Sequence, residues 1–204
     1  MSSDQNMEQA ILKSATRLFL ERGFKATSTT EIAKAAGCNQ ALVHYYYRTK
    51  DRLFEAIFEK KMKFFISSLL QIESEDLPFL EKLAKRIESH FDAIIEDPQL
   101  PQFLFTEINS NPKRLEQLRE KLSELPAEVF QKIQSEVETE VAAGNIRPIS
   151  VYDLLLTIVS LNIMVFIAGP MFSAITRISE EDFIKLRERR KKEHVHIIIS
   201  SLKP

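Results

Sequence analysis

Apolar residues recur at three- and four-residue intervals along most of the chain, which is the spacing of amphipathic helices. The first such run ends at Gly23, because glycine readily takes the left-handed conformation that closes a helix. Its apolar positions are Met7, Ala10, Ile11, Ala15, Leu18 and Phe19. The alternation of apolar and polar residues that marks a strand is nearly absent. The pattern therefore predicts an all-α fold.

Two short helices are predicted after this first run. Ser28 and Glu31 stand at the spacing of a capping box, in which each side chain bonds the other residue's backbone amide. Gly37 can end that helix, and Asn39 can cap a second one that runs to Tyr47. Thr49 can cap the helix that follows. Two short helices around a glycine turn predict a helix-turn-helix unit.

The second short helix has a distinctive outer face. If Val43 and Tyr47, four residues apart, face the core, a turn of about 100° per residue directs Ala41 and Tyr45 outward. Leu42 and His44 lie beside them, and Gln40 and Tyr46 are nearer the flanks. Such a face, followed by Arg48 and Lys50, suits a polyanion. The alternative is an aromatic packing helix with one solvated side.

Two long helical segments close the chain. One contains the apolar run Leu154–Gly169, and the other spans Ser179–Leu202. The run has polar residues within it and is shorter than the roughly 20 residues that span a bilayer, so it predicts a buried helix. The N-terminus has no secretory pattern. We therefore expect no membrane partner and a cytoplasmic location.

Composition adds little to this prediction, and charge adds a weak asymmetry. Hydrophobic residues make up 44% and charged residues 28%, and only 4 of 204 residues are glycine, as in a soluble helical protein. Residues 1–61 carry 10 Lys and Arg against 7 Asp and Glu, whereas the remainder carries 18 against 22. The basic N-terminal part weakly favours an anionic partner there.

The stretch Thr29–Leu53 resembles the signature of the TetR family of transcriptional regulators, and the resemblance extends over roughly residues 7–58, including Phe19 and Gly23-Phe24. It implies a three-helix DNA-binding head, which we place at residues 1–50. It also implies a larger helical domain, residues 51–204, that binds an effector and dimerises through the last long helices. The implied protein is a regulator, by family default a repressor, that binds a palindromic operator as a homodimer and releases it on binding a small apolar or amphipathic effector.

The resemblance also implies residue roles. Gln40, Ala41 and His44 occupy base-reading positions, whereas Tyr45, Tyr46 and Lys50 occupy positions that contact phosphates. Leu42 replaces a common threonine and could touch a thymine methyl instead, and Tyr47 replaces a common phenylalanine. The predicted DNA-binding set is Thr29, Asn39, Gln40, Ala41, Leu42, His44, Tyr45, Tyr46 and Lys50. For Lys50 the alternative is an ordinary solvated lysine.

The effector and dimer contacts are less specified. Pockets are mostly apolar with a few polar groups, so the expected effector contacts are Phe64, Phe65, His90, Phe91, Phe103, Phe130, Asn162 and Phe166. The expected dimer contacts are Ile158, Leu161, Val165, Ile198 and Leu202. Each of these residues has the alternative of a plain core role. The basic run 185–192 is interpreted as a solvated helix face in preference to a second DNA contact.

Other functions find less support. No phosphate loop, zinc spacing or nucleophile elbow is present, and His194 and His196 are two apart, so they do not share a helix face. We therefore expect no enzyme activity, no metal and no cofactor. A purely structural helical dimer would leave the helix-turn-helix unexplained. A redox role for Cys38, the one cysteine, is less favoured than packing.

Overall fold

A computed structural model describes residues 3–70, 77–111, 113, 114, 116, 120 and 127–204. The described residues form ten helices and no strand, so the predicted all-α fold is confirmed. In chain order, the helices are α1 Ser3–Arg22, α2 Thr29–Ala36, α3 Gln40–Tyr47, α4 Lys50–Leu70, α5 Phe79–Glu96, α6 Leu100–Ser110, α7 Ala127–Ala142, α8 Val151–Ile167, α9 Gly169–Thr176 and α10 Glu180–Ser201.

The chain forms two compact units. The first comprises Met1–Lys63 and Gln102–Arg119, and the second comprises Phe64–Pro101 and Glu120–Pro204. Each of α4 and α6 thus contributes residues to both units. The contacts do not divide the chain at residue 50, because the start of α4 and most of α6 are compact with the N-terminal helices. The boundary between residues 50 and 51 remains a prediction about functional domains.

An aromatic cluster fills the core of the first unit. Phe54 of α4 packs edge-on against Phe19 and Phe24, with ring centroids 5.0 Å and 4.9 Å away. Phe58 and Phe103 lie 5.8 Å and 5.7 Å from the same ring. Edge-to-face pairs at such distances stabilise beyond the burial of their area. Phe54 therefore joins α1, α4 and α6 in one core.

Side-chain caps define the short helices as predicted. Ser28 and Glu31 form both halves of the capping box at α2, and the Ser28 hydrogen bonds are the main cause of a lowered Glu31 pKa. Gly37 ends α2 with φ 71°, and the Asn39 side chain accepts from the Leu42 amide at the start of α3. Thr49 accepts from the Arg52 amide at 3.2 Å and so caps α4. These predictions are confirmed.

The second unit is built around α5, α7, α8 and α10. Its largest apolar cluster joins residues from all four helices, including Ile87, Val137, Ile158 and Ile198, each at most 1% exposed. At about 25 cal/mol per Å² of buried apolar area, burial of such side chains provides the main stabilisation of the unit. No single described helix is both long and apolar enough to cross a bilayer; only α8 and α9 taken together satisfy length and composition, and they are bent by 51°.

The first prediction concerns the turn at Gly37, where a β-carbon would meet nothing within 4 Å. The cost of Gly37→Ala therefore comes from the left-handed backbone alone. We expect a loss of about 1–2 kcal/mol in the free energy of unfolding, measured by urea denaturation. Gly37→Asn is the control, because asparagine tolerates this conformation and should lose less. Equal losses for the two variants would contradict this explanation.

Candidate DNA-binding surface and buried polar cluster

Helix α3 presents most of its side chains to solvent. Of its eight residues, all described, only Val43 is buried, at 2% exposure. Gln40, Ala41, His44 and Tyr45 are exposed, with Tyr45 at 70%. Leu42 and Tyr46 are half-buried and lie at the margins of this face. The four exposed side chains define what we call the recognition face.

The exposed amide of Gln40 links α3 to the start of α2. Its Nε2 donates to the Thr29 hydroxyl at 2.9 Å, and its Oε1 accepts from the Thr30 hydroxyl at 3.3 Å. Two predicted DNA contacts, Thr29 and Gln40, are thus brought together. Asn39 instead uses its side-chain oxygen to cap α3, which gives it a structural role.

His44 is held by a hydrogen bond that sets its tautomer. Its Nδ1 lies 3.0 Å from the Arg48 carbonyl oxygen, which can only accept, so Nδ1 carries the proton. The Nε2 of the neutral ring is then an acceptor, 3.4 Å from the Gln40 Nε2. A lone pair on the recognition face matches base edges that present an amino group, adenine or cytosine.

The end of α3 is a strained turn. Arg48 has φ 63° and ψ −52°, and the Thr49 amide donates to the Tyr47 carbonyl at 2.6 Å. This is the geometry of a γ-turn that is rare and strained for a residue with a side chain. Only two residues therefore separate α3 from α4, which leaves α3 little freedom to rotate.

Tyr47 anchors α3 to α1. Its hydroxyl bonds Glu8, and burial together with this carboxylate raises the pKa of Tyr47 to about 12. Tyr47 has a hydroxyl that phenylalanine lacks, and a buried hydroxyl needs a hydrogen-bond partner. That partner is Glu8, which the sequence pattern did not identify. Burial also raises the pKa of Cys38, which disfavours the reactive thiolate and so favours the packing interpretation.

The Lys50 side chain is committed within the protein. Its ammonium donates to the carbonyls of Phe24 and Thr27, both at 3.0 Å, and lies 4.1 Å from the centroid of the Phe24 ring. It therefore ties α4 to the loop between α1 and α2, which differs from the alternative of an ordinary solvated lysine. The position of Lys50 as a DNA contact remains a prediction.

A buried carboxylate holds the same loop from α6. Glu107 is 5% exposed; it accepts from the Phe24 amide at 2.9 Å and is ion-paired with Arg114. The Arg114 guanidinium also lies 4.0 Å from the centroid of the Phe54 ring. Neither residue belongs to a motif, so the sequence offered no signal for them. They hold the loop that leads into α2 against α4 and α6.

Five of the eight expected effector contacts come together in the second unit. Phe91, Asn162 and Phe166 are at most 9% exposed, and the Phe65 ring lies 4.9 Å from that of His90. The other three lie elsewhere. Phe103 packs against Phe58 in the first unit, and Phe130 packs on Tyr152. Phe64 is 41% exposed and lines an open groove of about 580 Å³, together with several serines and charged residues.

The centre of this group is a buried polar cluster of His90, Asn162 and His194, each 0% exposed. The Asn162 amide donates to the Ile87 carbonyl at 2.9 Å and lies 3.2 Å from the Nδ1 of His90. The Nδ1 of His194 lies 2.9 Å from the Asn162 oxygen. Each buried polar atom left without a partner costs about 1–3 kcal/mol, so such a cluster is expensive within an apolar core. His194 was not among the predicted site residues.

Three of the five expected dimer contacts lie in the apolar core of the second unit. Ile158, Ile198 and Leu202 are at most 1% exposed within the apolar cluster, so they have no surface to offer a partner. Leu161 and Val165 are partly buried against the core. Large apolar side chains are exposed elsewhere on the second unit, namely Tyr152, Leu156, Met164, Met171, Phe172, Ile175 and Ile184.

The basic run on α10 is partly paired with acidic side chains. Lys185 contacts Glu181 at 2.6 Å, and Lys191 contacts Asp92 of α5 at 2.8 Å, which raises the pKa of Lys191. These pairs favour a solvated face that helps to hold α10 on α5.

Comparison with known proteins agrees with this geometry. Residues 11–57 match the family model described as bacterial regulatory proteins, tetR family. Residues 80–198, more than half of the chain, match the tetracyclin repressor-like C-terminal domain.

Individual relatives are distant. The chain is 29% identical to the fatty acid metabolism regulator protein of Bacillus subtilis over 115 residues, which are 56% of this chain and 58% of that protein. It is 25% identical over 149 residues to the regulator YhgD of the same organism, covering 72% of this chain and 75% of that one. A tetR-family regulatory protein from Rhodococcus RHA1 shares the fold, with a TM-score of 0.68 at 19% identity over 97% of this chain and 98% of the other.

The second prediction concerns Lys50. Lys50→Met should lower the free energy of unfolding by about 1–3 kcal/mol, because two loop carbonyls lose a charged donor. Urea denaturation measures this loss. Lys34→Met on α2 is the matched control, since Lys34 is exposed and should change stability by less than about 0.5 kcal/mol. Equal stability of the Lys50 variant and the parent would remove this anchoring role.

Proposed function

The chain belongs to the TetR family of bacterial regulatory proteins, and we propose that it is a repressor that binds a palindromic operator as a homodimer. The repressor leaves the operator when a small amphipathic effector binds. That it is a DNA-binding transcriptional regulator follows from the family, and its relatives are regulators and not enzymes. Repression, the palindrome, dimerisation and the effector are the proposed parts.

The recognition face carries the proposal for DNA binding. A major groove admits one helix, and its base edges present a distinct donor and acceptor pattern. The exposed Gln40, Ala41, His44 and Tyr45 stand on a helix whose two ends are fixed, by the Asn39 cap and by the turn at Arg48. Such a rigid mounting supports base reading by Gln40, Ala41 and His44. The rings of Tyr45 and Tyr46 pack edge-on with centroids 5.2 Å apart, and we propose that both residues contact phosphates beside the groove.

An exposed apolar face supports the proposal of a homodimer. On α8, Leu156 is 65% and Met164 is 58% exposed. On the short α9, Met171 and Ile175 are 64% and 73% exposed. Large exposed apolar side chains on two adjoining helices are candidates for an association surface, and a two-fold interface uses the same patch on both subunits. We therefore propose these residues in place of the buried Ile158, Ile198 and Leu202.

The proposed effector binds in the second unit. The polar cluster and the surrounding Phe65, Phe91 and Phe166 provide the mixture of apolar and polar groups typical of ligand sites. One relative is named a fatty acid metabolism regulator, and for this chain we propose an effector with an alkyl chain. Its binding would shift the population of dimers toward a form that the operator does not accept.

The third prediction separates base reading from phosphate contacts. Selection of bound duplexes from a random pool should return a palindrome with the parent protein. His44→Ala should relax the preference at one base pair of each half-site, because each good base contact contributes about 1–3 kcal/mol of discrimination. Tyr45→Phe is the comparison: it should weaken binding to all sequences alike, because phosphates carry no sequence.

The recognition face would be wrongly assigned if His44→Ala selected the same sequences as the parent with the same stringency. The base preferred at the His44 position should be adenine or cytosine, whose amino groups match the Nε2 acceptor. Recovery of no palindrome at low salt would reject the proposed function as a whole.

The fourth prediction concerns the dimer face. Met164→Glu and Leu156→Glu should raise the dissociation constant of the dimer at least tenfold, since central interface residues commonly contribute more than 1 kcal/mol. Sedimentation velocity over a concentration series measures this shift. Leu80→Glu is the matched control: Leu80 of α5 is 37% exposed outside the proposed face, and its variant should dimerise as the parent does. Unchanged dimerisation of both α8 variants would exclude this face.

A further inference from the structure

The polar cluster of His90, Asn162 and His194 has a defined arrangement of protons. The Asn162 Nδ2 donates one hydrogen to the Ile87 carbonyl, at 2.9 Å, and has a second hydrogen for the Nδ1 of His90, at 3.2 Å. That nitrogen of His90 therefore accepts. The Asn162 oxygen can only accept, so the Nδ1 of His194, 2.9 Å away, donates. One amide thus orients both imidazole rings, and in opposite tautomers.

These tautomers leave one donor and one acceptor unused. In neutral His90 the remaining proton is on Nε2, whereas in neutral His194 the Nε2 bears a lone pair. Neither Nε2 has a hydrogen-bond partner among the described residues, and both side chains are 0% exposed. Buried polar atoms in proteins are nearly always paired. Two unpaired nitrogens on rings that bond the same amide therefore point to a ligand.

The surroundings keep both rings neutral. Phe65 lies 4.9 Å from the His90 ring, and Phe91 lies 5.6 Å from the His194 ring. Burial lowers the pKa of each histidine to about 4, and for His194 the nearby Arg190 adds to the effect. At neutral pH the cluster therefore presents one N–H and one lone pair. A carboxylate has no proton for the lone pair of His194, so it matches only half of the site.

We propose that His90 and His194 bind the uncharged head of an amphipathic effector that carries an O–H group, either an alcohol or a protonated carboxylic acid. Oxygen of the head accepts from the Nε2 of His90, and its hydrogen is donated to the Nε2 of His194. The apolar part of the effector contacts Phe65, Phe91 and Phe166, which surround the polar cluster. This inference rests on the proposed function, since it specifies the chemistry of the effector.

The test pairs two probes that differ by one proton. Linear alcohols of six to twelve carbons are titrated by calorimetry against their methyl ethers, which accept a hydrogen bond but cannot donate one. We expect the parent protein to bind the best alcohol at least tenfold more tightly than its ether. His194→Phe should abolish this preference, because the lone pair that reads the proton is gone. His196→Phe is the matched control, since His196 is exposed on the same helix, and it should keep the preference.

A second variant shows whether a lost preference in His194→Phe could come from misfolding. His90→Phe should weaken the alcohol and the ether about equally and leave their ratio unchanged, because both probes lose the same donor. Equal affinity of the parent for both probes, binding of neither at any chain length, or an alcohol preference that persists in His194→Phe would each overturn the proposal.

Titration with linear carboxylic acids tests whether the head of the effector binds uncharged. If the acid binds protonated, its affinity should fall about tenfold for each pH unit above the pKa of the free acid, while that of the alcohol stays level. A carboxylic acid affinity that is independent of pH would overturn the proposal of an uncharged head.

Selection of bound duplexes with the same protein preparation distinguishes failure of this inference from failure of the proposed function. A protein that selects a palindrome but binds no alcohol refutes this inference alone, whereas loss of DNA binding refutes the proposed function.

Discussion

The recognition face exists because a helix of eight residues is held almost entirely by its neighbours. A helix as short as α3 is unstable alone, and it buries only Val43 fully. What holds it is a set of directional contacts at its margins: the Asn39 cap, the bond from Tyr47 to Glu8 and the tight turn at Arg48. Because these contacts lie at the ends and on one side, the opposite side stays free for a partner.

The two compact units differ in the chemistry of their cores. The first has a core of interlocking phenylalanine rings around Phe54, and it ties its loop with charged side chains, Lys50 from α4 and Glu107 from α6. Such a core resists deformation, as a rigid scaffold for reading DNA must. The second unit places an amide and two imidazoles among apolar side chains. That arrangement costs stability in the absence of further partners, and it offers a ligand specific bonds that an apolar core cannot provide.

The buried cluster and the exposed face also show how one residue type serves two purposes. His44 and His194 both have a tautomer set by a single oxygen acceptor, the Arg48 carbonyl in one case and the Asn162 amide in the other. In both neutral rings the Nε2 is an acceptor; that of His44 lies 3.4 Å from the Gln40 amide, whereas that of His194 has no partner among the described residues. In the proposed function that atom reads a base on the surface, whereas in the core it reads the proton of a small molecule. The environment, and not the side chain, decides which partner is reached.

Local structure in the first half of the chain followed from sequence. The capping box at Ser28, the left-handed Gly37 and the caps at Asn39 and Thr49 depend on contacts a few residues apart, so spacing alone predicted them. The family motif on α2 and α3 likewise predicted which residues could face DNA. Apolar periodicity predicted helices, but α8 is apolar at most of its positions, so spacing alone could not say which of them face the core. Leu156 and Met164 turned out exposed, and Ile158 buried.

Only the tertiary structure could reveal the long-range partners. Glu8 meets Tyr47, Lys50 meets the carbonyls of the α1–α2 loop, and His194 meets Asn162 over 32 residues. A hydrogen bond between distant residues leaves no periodicity in the chain, since it depends on where whole helices pack. The sequence by itself determined the helices, their caps and the family. Packing decided which polar groups meet, which remain unpaired and which apolar face is left exposed, because those depend on the three-dimensional proximity of segments that spacing does not encode.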